Sequence, residues 1–390
     1  MIAVLGATGA VGAAAVRELA RRGGESTVLR LGGRRAAALD ALAASVPTDC
    51  ESVPCDVYDD DSLDKFCAGA SVVLHCAAPS FAIGERVAEA ALRAGAHYVD
   101  VNGELPVFAA LGGGSPADSF GAQGKAAVVS AGVIPGLSGL LPHLLASQFR
   151  TGGARNLGLT GWAGGVEPCS PGVGLDIPLS LTTGGTDGEA YGTALAAWIG
   201  GRRVTRALHA DEEAQAPFFP GVVALQPYLS AENERVATAA QFDDFTWYNV
   251  HPGPRVREAL NALPARQLDG VDAESLSAAL VRAADLDLLG CDPYHLLIVA
   301  AHGRAGTRDV GGAIVVCSKD SYALSGFIAA HTVWSVLGGE VPAGVHFACD
   351  VLTPRRLLDE IADSAVSTVT ELSGEDARLN SLGDEEEGAL

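Results

Sequence analysis

Ile2-Ala3-Val4-Leu5-Gly6-Ala7-Thr8-Gly9-Ala10-Val11-Gly12 opens the chain and decides how the rest is read. Four apolar residues of strand length run straight into three glycines spaced GxxGxxG. Residues 13–22 then carry helical spacing, with Arg17, Glu18, Arg21 and Arg22 on the outer face. A strand that turns through glycines into a helix leaves bare N–H groups at the helix N-terminus. Those groups bind phosphate oxygens, and the glycines permit both the tight turn and the close approach. Gly6, Thr8, Gly9, Ala10, Val11 and Gly12 are therefore expected to cradle the pyrophosphate of a dinucleotide.

The same alternation continues outward. Residues 27–31, 51–57, 71–76, 97–101 and 126–130 read as strands, and 36–44, 61–68 and 84–94 as helices. Repeated βα units of this size predict an α/β fold, a Rossmann-type doubly wound parallel sheet with right-handed crossovers. The second strand ends Leu31-Gly32-Gly33-Arg34-Arg35, without the acid that would bind the ribose 2′-hydroxyl of NAD. Gly33 leaves room for a 2′-phosphate, and Arg34 and Arg35 offer guanidinium groups to hold it, which points to NADP(H). The alternative is that both arginines merely open the next helix on a solvated face. Asp56 and Val57, at the end of the third strand, are expected beside the adenine.

The bulk composition of the 390 residues is that of an ordinary globular protein, 48% hydrophobic and 19% charged. A net charge of −21 argues against nucleic acid and against anionic membrane surfaces. The longest apolar stretch, residues 126–146, is broken by Gly132, Pro135, Gly136, Pro142 and His143, so no membrane span is expected. The eight cysteines form no CxxC pair, which suggests neither a metal site nor a redox dithiol and fits reduced thiols in the cytoplasm.

Short-chain dehydrogenases also carry GxxGxxG, but their chemistry needs Lys four residues after a catalytic Tyr. No tyrosine here has Lys at that offset, and the chain has only Lys65, Lys125 and Lys319. GATGAVG (6–12), VVLHCAAPS (72–80), ALRAGAHYVDVNGE (91–104) and SAGVIPGLSGLLPHLLA (130–146) together resemble the saccharopine dehydrogenase (reductase-type) superfamily. YALSGFIAAHTVWSVLGGEVPAGV (322–345) is similar to that family's closing helix and loop. The resemblance implies three parts: an NADP-binding Rossmann domain over 1–130, an inserted α+β substrate and dimerisation domain over 131–320, and a segment over 321–372 that returns to the Rossmann domain. The tail over 373–390, with Asp384-Glu385-Glu386-Glu387, reads from its charge as a disordered acidic end. The resemblance also implies a homodimer and hydride transfer from NADPH to a C=N bond of a small-molecule or carrier-bound substrate. Some relatives resemble trans-acting enoyl reductases, and an NADP-sensing regulator without chemistry is the remaining alternative.

Ligands of an open α/β sheet lie outside the carboxyl ends of its strands. Ala77, Ala78 and Pro79 after the fourth strand are expected along the nicotinamide ribose, and Pro135 and Gly136 beside the nicotinamide. Imine reduction needs a proton at nitrogen and a carboxylate near the iminium charge. Glu104 follows the fifth strand at once and is the first candidate, with an N-cap or surface acid as its other reading. Asp176 and His251 are the polar residues of the middle region that fit an acid role. Asp100, inside the fifth strand, reads as structural. In the middle region, 156–159, 295–301 and 313–318 are strand-like, with a hairpin turn expected over 302–312.

Overall fold

Residues 1–183 and 190–374 are described by a computed structural model in which β1 (Ile2–Leu5), buried at every position, lies inside a seven-stranded parallel sheet. β2 (Val28–Gly33) and β3 (Asp49–Pro54) extend to one side, and β4 (Val72–His75), β5 (His97–Asp100) and β6 (Ala126–Val129) to the other. Strand order reverses between β1 and β4, so the crevice at their carboxyl ends is the topological switch point. β4 and β6 are apolar and buried at almost every residue, as strands covered on both faces must be.

The first helix, Ala10–Gly23, buries Gly12, Ala15, Val16, Leu19 and Ala20, one stripe at helical spacing. The helix Ser321–Leu337 packs on it so closely that a Cβ at Gly326 would lie 2.6 Å from Ala14 Cβ and from the Ala15 amide nitrogen. The strand Gly344–Phe347 then joins β6 in parallel, Gly344 opposite Ala126 and Phe347 opposite Val129. The sequence does not announce this seventh strand, because its glycine-rich approach reads as a loop.

These elements belong to one of two compact units, formed by Met1–Leu140, Leu175–Thr183 and Ser321–Thr353. The other comprises Leu141–Gly174, Gly184–Asp320 and Pro354–Leu390. The expected boundaries at 130, 320 and 372 differ from this division in two ways. Leu175–Thr183, sequentially inside the middle region, belongs with the parallel sheet. The return segment parts at Thr353: the strand Ser367–Ser373 pairs antiparallel with Arg308–Ser318 in the second unit. The acidic tail lies outside the described residues from 375 onward, while Ser373 itself ends a strand.

The second unit is a mixed sheet whose central strand, Arg155–Val166, runs parallel to Asp244–His251 and antiparallel to Tyr294–Ala305. Trp162, Phe219, Val250, Ile298 and Val315 form a core on one face. The hairpin Tyr294–Ala305 and Arg308–Ser318 turns at Gly306, so most of the expected 302–312 turn is strand. His302 and Arg304 are exposed and Gly303 buried, a period-two pattern that the small glycine conceals in the sequence. Among the described residues no helix is long and apolar enough to cross a membrane, and all eight cysteines are free.

Candidate active site

The glycine turn does two separable things. Gly12 is fixed by packing: a Cβ there would sit 2.1 Å from Gly6 O. Gly6 is fixed by its φ of +77° and by the loop after β4, since a Cβ would meet Ala77 N at 2.5 Å. The turn after β1 and the Ala77-Ala78-Pro79 loop therefore touch at the switch point. Gly9 is looser, its nearest neighbour being Gly6 O at 3.2 Å, and it is exposed.

The Gly6 and Ala7 amides donate to Gly32 O at 2.9 and 3.0 Å, so the part Gly6 plays is steric and its N–H is occupied. The Thr8, Ala10, Val11 and Gly12 amides have no acceptor among the described residues. The N-cap, Gly9, brings no side-chain bond, and the first turn holds no acid. An uncapped helix start of this kind is a standing anion site. At the end of β2, a Cβ on Gly33 would find nothing nearer than Leu39 at 3.7 Å. Arg34 and Arg35 are exposed and have no ion pair among the described residues, in a chain carrying 47 acids. Bare amides, an open position and two available guanidiniums fit a dinucleotide with a 2′-phosphate. Asp56 lies two residues past β3, and Tyr58 N donates to its Oδ1 at 3.0 Å.

The carboxyl ends of β4 and β5 carry a connected set of buried polar groups. His75 and Asp100 are register partners. Tyr98 donates to Asp100 Oδ2 at 2.6 Å, and His75 Nδ1 lies 3.0 Å from the Tyr98 oxygen. Asp100 Oδ1 accepts from Asn102 N at 2.9 Å, and a Cβ at Gly103 (φ +40°) would lie 2.6 Å from Asp100 Oδ2. Asn102 Nδ2 donates to Ser80 Oγ at 3.1 Å, and Ser80 donates to Asp176 Oδ1 at 3.2 Å. Phe81 N approaches the same oxygen at 3.4 Å. Asp176 comes from the helix Pro171–Thr183 and is only 8% exposed. Burial pushes its carboxyl up to about 6, against the opposing pull of the Phe81 amide, the Ser80 hydroxyl and the His75 ring. Burial, then Asp100, raises the Tyr98 phenol well above its usual range.

Of the three acid candidates, Asp176 thus stands at the edge where ligands of this fold bind, beside the Pro79 loop. Glu104 is half-buried at the same edge, in the N-cap position of Leu105–Ala110 but without a capping bond from its side chain. His251 lies in the second unit, at the end of Asp244–His251. Burial and Arg257 pull it down to about 4, so its ring is uncharged at neutral pH. Pro135 and Gly136 follow β6. Gly136 (φ +128°) is held so tightly that a Cβ would meet Gly132 O at 2.4 Å and Ser130 O at 2.5 Å. Sequence reasoning missed His75 and Tyr98. The available signal was a histidine closing an otherwise apolar strand, in step with Asp100 on the next.

The parallel sheet in this order, with an uncapped helix start at its switch point, defines a dinucleotide-binding Rossmann protein. Residues 2–115 match the Saccharopine dehydrogenase NADP binding domain, so that part of the chain belongs to this domain family and the cofactor is NADP(H). The chain shares its fold with the L-Glu-forming saccharopine dehydrogenase of Saccharomyces cerevisiae. That likeness has 14% identity and a TM-score of 0.65, and covers 96% of this chain and 99% of the yeast one. Taken together, residues 2–115 are an NADP-binding domain of the saccharopine dehydrogenase type, and the chain as a whole has a saccharopine dehydrogenase-like fold. Smaller likenesses are to the Citrobacter sp. triphenylmethane reductase complexed with NADP(H) (28% identity, 25% of this chain and 36% of that, TM-score 0.23) and to a putative short-chain oxidoreductase of Thermus thermophilus (23%, 25% and 56%, 0.21). No curated protein sequence matches the chain.

Proposed function

We propose that the protein is an NADPH-dependent reductase of C=N bonds, with Asp176 as the proton donor to nitrogen. NADPH supplies the hydride when bound. The observation that carries the reading is a buried carboxyl at the sheet's carboxyl edge whose pKa is raised to about 6. Reduction of an imine needs a proton at nitrogen as the hydride reaches carbon, and a general acid works best when its pKa lies near the working pH. Desolvation keeps the Asp176 proton available. The Ser80 hydroxyl and Phe81 amide, both directed at Oδ1, hold the carboxylate once the proton has left. The shared fold with an L-Glu-forming saccharopine dehydrogenase supports the same bond class.

The experiment is to mix the purified protein with NADPH and a panel of amine–aldehyde pairs and follow loss of the reduced nicotinamide absorbance. Turnover with at least one pair, and its loss in Asp176→Asn, is expected. Turnover with an enoyl thioester and with no imine would refute the proposal.

A further inference from the structure

Asn102 stands two residues past β5 and is half-buried, and the reaction as derived gives it no part. Its backbone is held on both sides: Asn102 N donates to Asp100 Oδ1 at 2.9 Å, and Asn102 O accepts from Ser130 N at 2.8 Å. The side-chain amide is thus delivered from a fixed point, with Nδ2 3.1 Å from Ser80 Oγ. An amide NH2 can only donate, so the Ser80 oxygen accepts. The single Ser80 proton then goes to Asp176 Oδ1, 3.2 Å away. These hydrogen bonds run in one direction, from Asn102 through Ser80 to the carboxyl. Turned the other way, with Asn102 Oδ1 toward Ser80, the hydroxyl would give its proton to Asn102 and take one from Asp176. Phe81 N also donates to Oδ1, at 3.4 Å, which favours the first direction. An oxygen that receives two donors is the less favourable one to carry a proton of its own.

We infer that Asn102 is a positioning residue for the proton donor: by donating to Ser80 it commits the Ser80 proton to Asp176 Oδ1 and leaves Oδ2 as the oxygen that carries and releases the transferable proton. Ser80 and Asp176 are only 7% and 8% exposed, so water competes little for these bonds. Once the proton has left, the carboxylate charge meets donors already aimed at Oδ1, and no hydroxyl has to turn. This role rests on the proposed part of Asp176 in imine reduction, whereas the donor chain that favours the ionised carboxyl can be measured without substrate.

The test reads the pH at which residue 176 ionises in the folded protein. The urea stability of each variant is compared with that of the same variant carrying Asp176→Asn, from about pH 4 to pH 9. In the wild type, burial places the midpoint at about 6. Losing a donor to the carboxylate disfavours its ionised form, so Asn102→Ala and Ser80→Ala should each move the midpoint up, by roughly 0.5–1 pH unit. Because Asn102 acts through Ser80, adding Asn102→Ala to Ser80→Ala should move it no further. His75, the titratable side chain that acts on Asp176 from β4, is the same in every variant, so its influence cancels. Where an imine is turned over, the pH midpoint of kcat should move by the same amount, which a role confined to fold stability would not produce. A midpoint that stays, or falls as the reversed chain requires, overturns the inference, and so do additive shifts in the double variant. Asn102→Asp covers the case in which the Ala variant does not fold: similar in size, it accepts from Ser80 instead of donating. Its upward move should be larger with Ser80 present than in Ser80→Ala, and equal moves overturn the inference. If the wild type reduces no imine, the functional reading fails by itself, and the stability midpoints still decide whether Asn102 acts on Asp176.

Discussion

Replacing Asp176 by Asn should make the protein more stable and nearly inactive, and the stability gain should depend on pH in a defined way. Burial raises the Asp176 carboxyl from its ordinary 3.8 to about 6. At about 1.4 kcal/mol per pH unit, that displacement puts a ceiling of roughly 3 kcal/mol on the cost of ionising it inside the fold. Below pH 4 the group is protonated in folded and unfolded chains alike and costs nothing. Between about 4 and 6 the folded state holds a proton that the unfolded state has released, so stability falls as pH rises. Above 6 the whole cost is present. Asn keeps an oxygen for the Ser80 and Phe81 donors and carries no charge. The Asn variant should therefore match the wild type near pH 4 and exceed it by up to about 3 kcal/mol at pH 8. Urea unfolding at the two pH values measures the difference. The same variant should lose at least about 100-fold in kcat, since general acids typically contribute roughly 10²–10⁴-fold. The wild-type rate should decline as pH rises through about 6. A stability difference that is the same at pH 4 and pH 8, or an Asn variant that keeps its rate, would refute the reasoning.

Changing Arg34 and Arg35 together to Ala should weaken NADPH by about 10- to 100-fold and leave NADH within a few-fold, because charge-assisted bonds to the 2′-phosphate are lost. Calorimetry with both nucleotides checks this, and equal losses would show that the arginines do not read the phosphate. Gly12→Ala should destabilise by several kcal/mol and abolish NADPH binding, because the new methyl falls 2.1 Å from Gly6 O; Gly9→Ala, with 3.2 Å of clearance, should fold and bind more weakly. Thermal melts with and without NADPH separate the two. Gly326→Ala should cost about 1–3 kcal/mol through overpacking against Ala14 and Ala15, read as a lower urea midpoint.

The nucleotide half was legible in the sequence because its signals are local. Strand, glycine turn and helix follow one another within residues 2–23, and the spacing of Gly6 and Gly12 states a packing requirement that the 2.1 Å approach makes explicit. Arg34 and Arg35 were readable for the same reason, as they close the very next strand. Boundaries suffered where periodicity was hidden, as at Gly303 in the hairpin and at the strand Gly344–Phe347. The site beyond the nucleotide was not legible in full. Asp176 stood among the candidates, but nothing near it in the chain points to Ser80, 96 residues earlier, or to a place in the parallel-sheet unit. The partnership of His75, Tyr98 and Asp100 exists only because β4 and β5 pair in one register and present all three on one face. Sequence alone thus determined which cofactor the chain is built to hold. The tertiary structure decided which carboxyl is desolvated, since burial is contributed by residues distant in the chain and no local pattern encodes it.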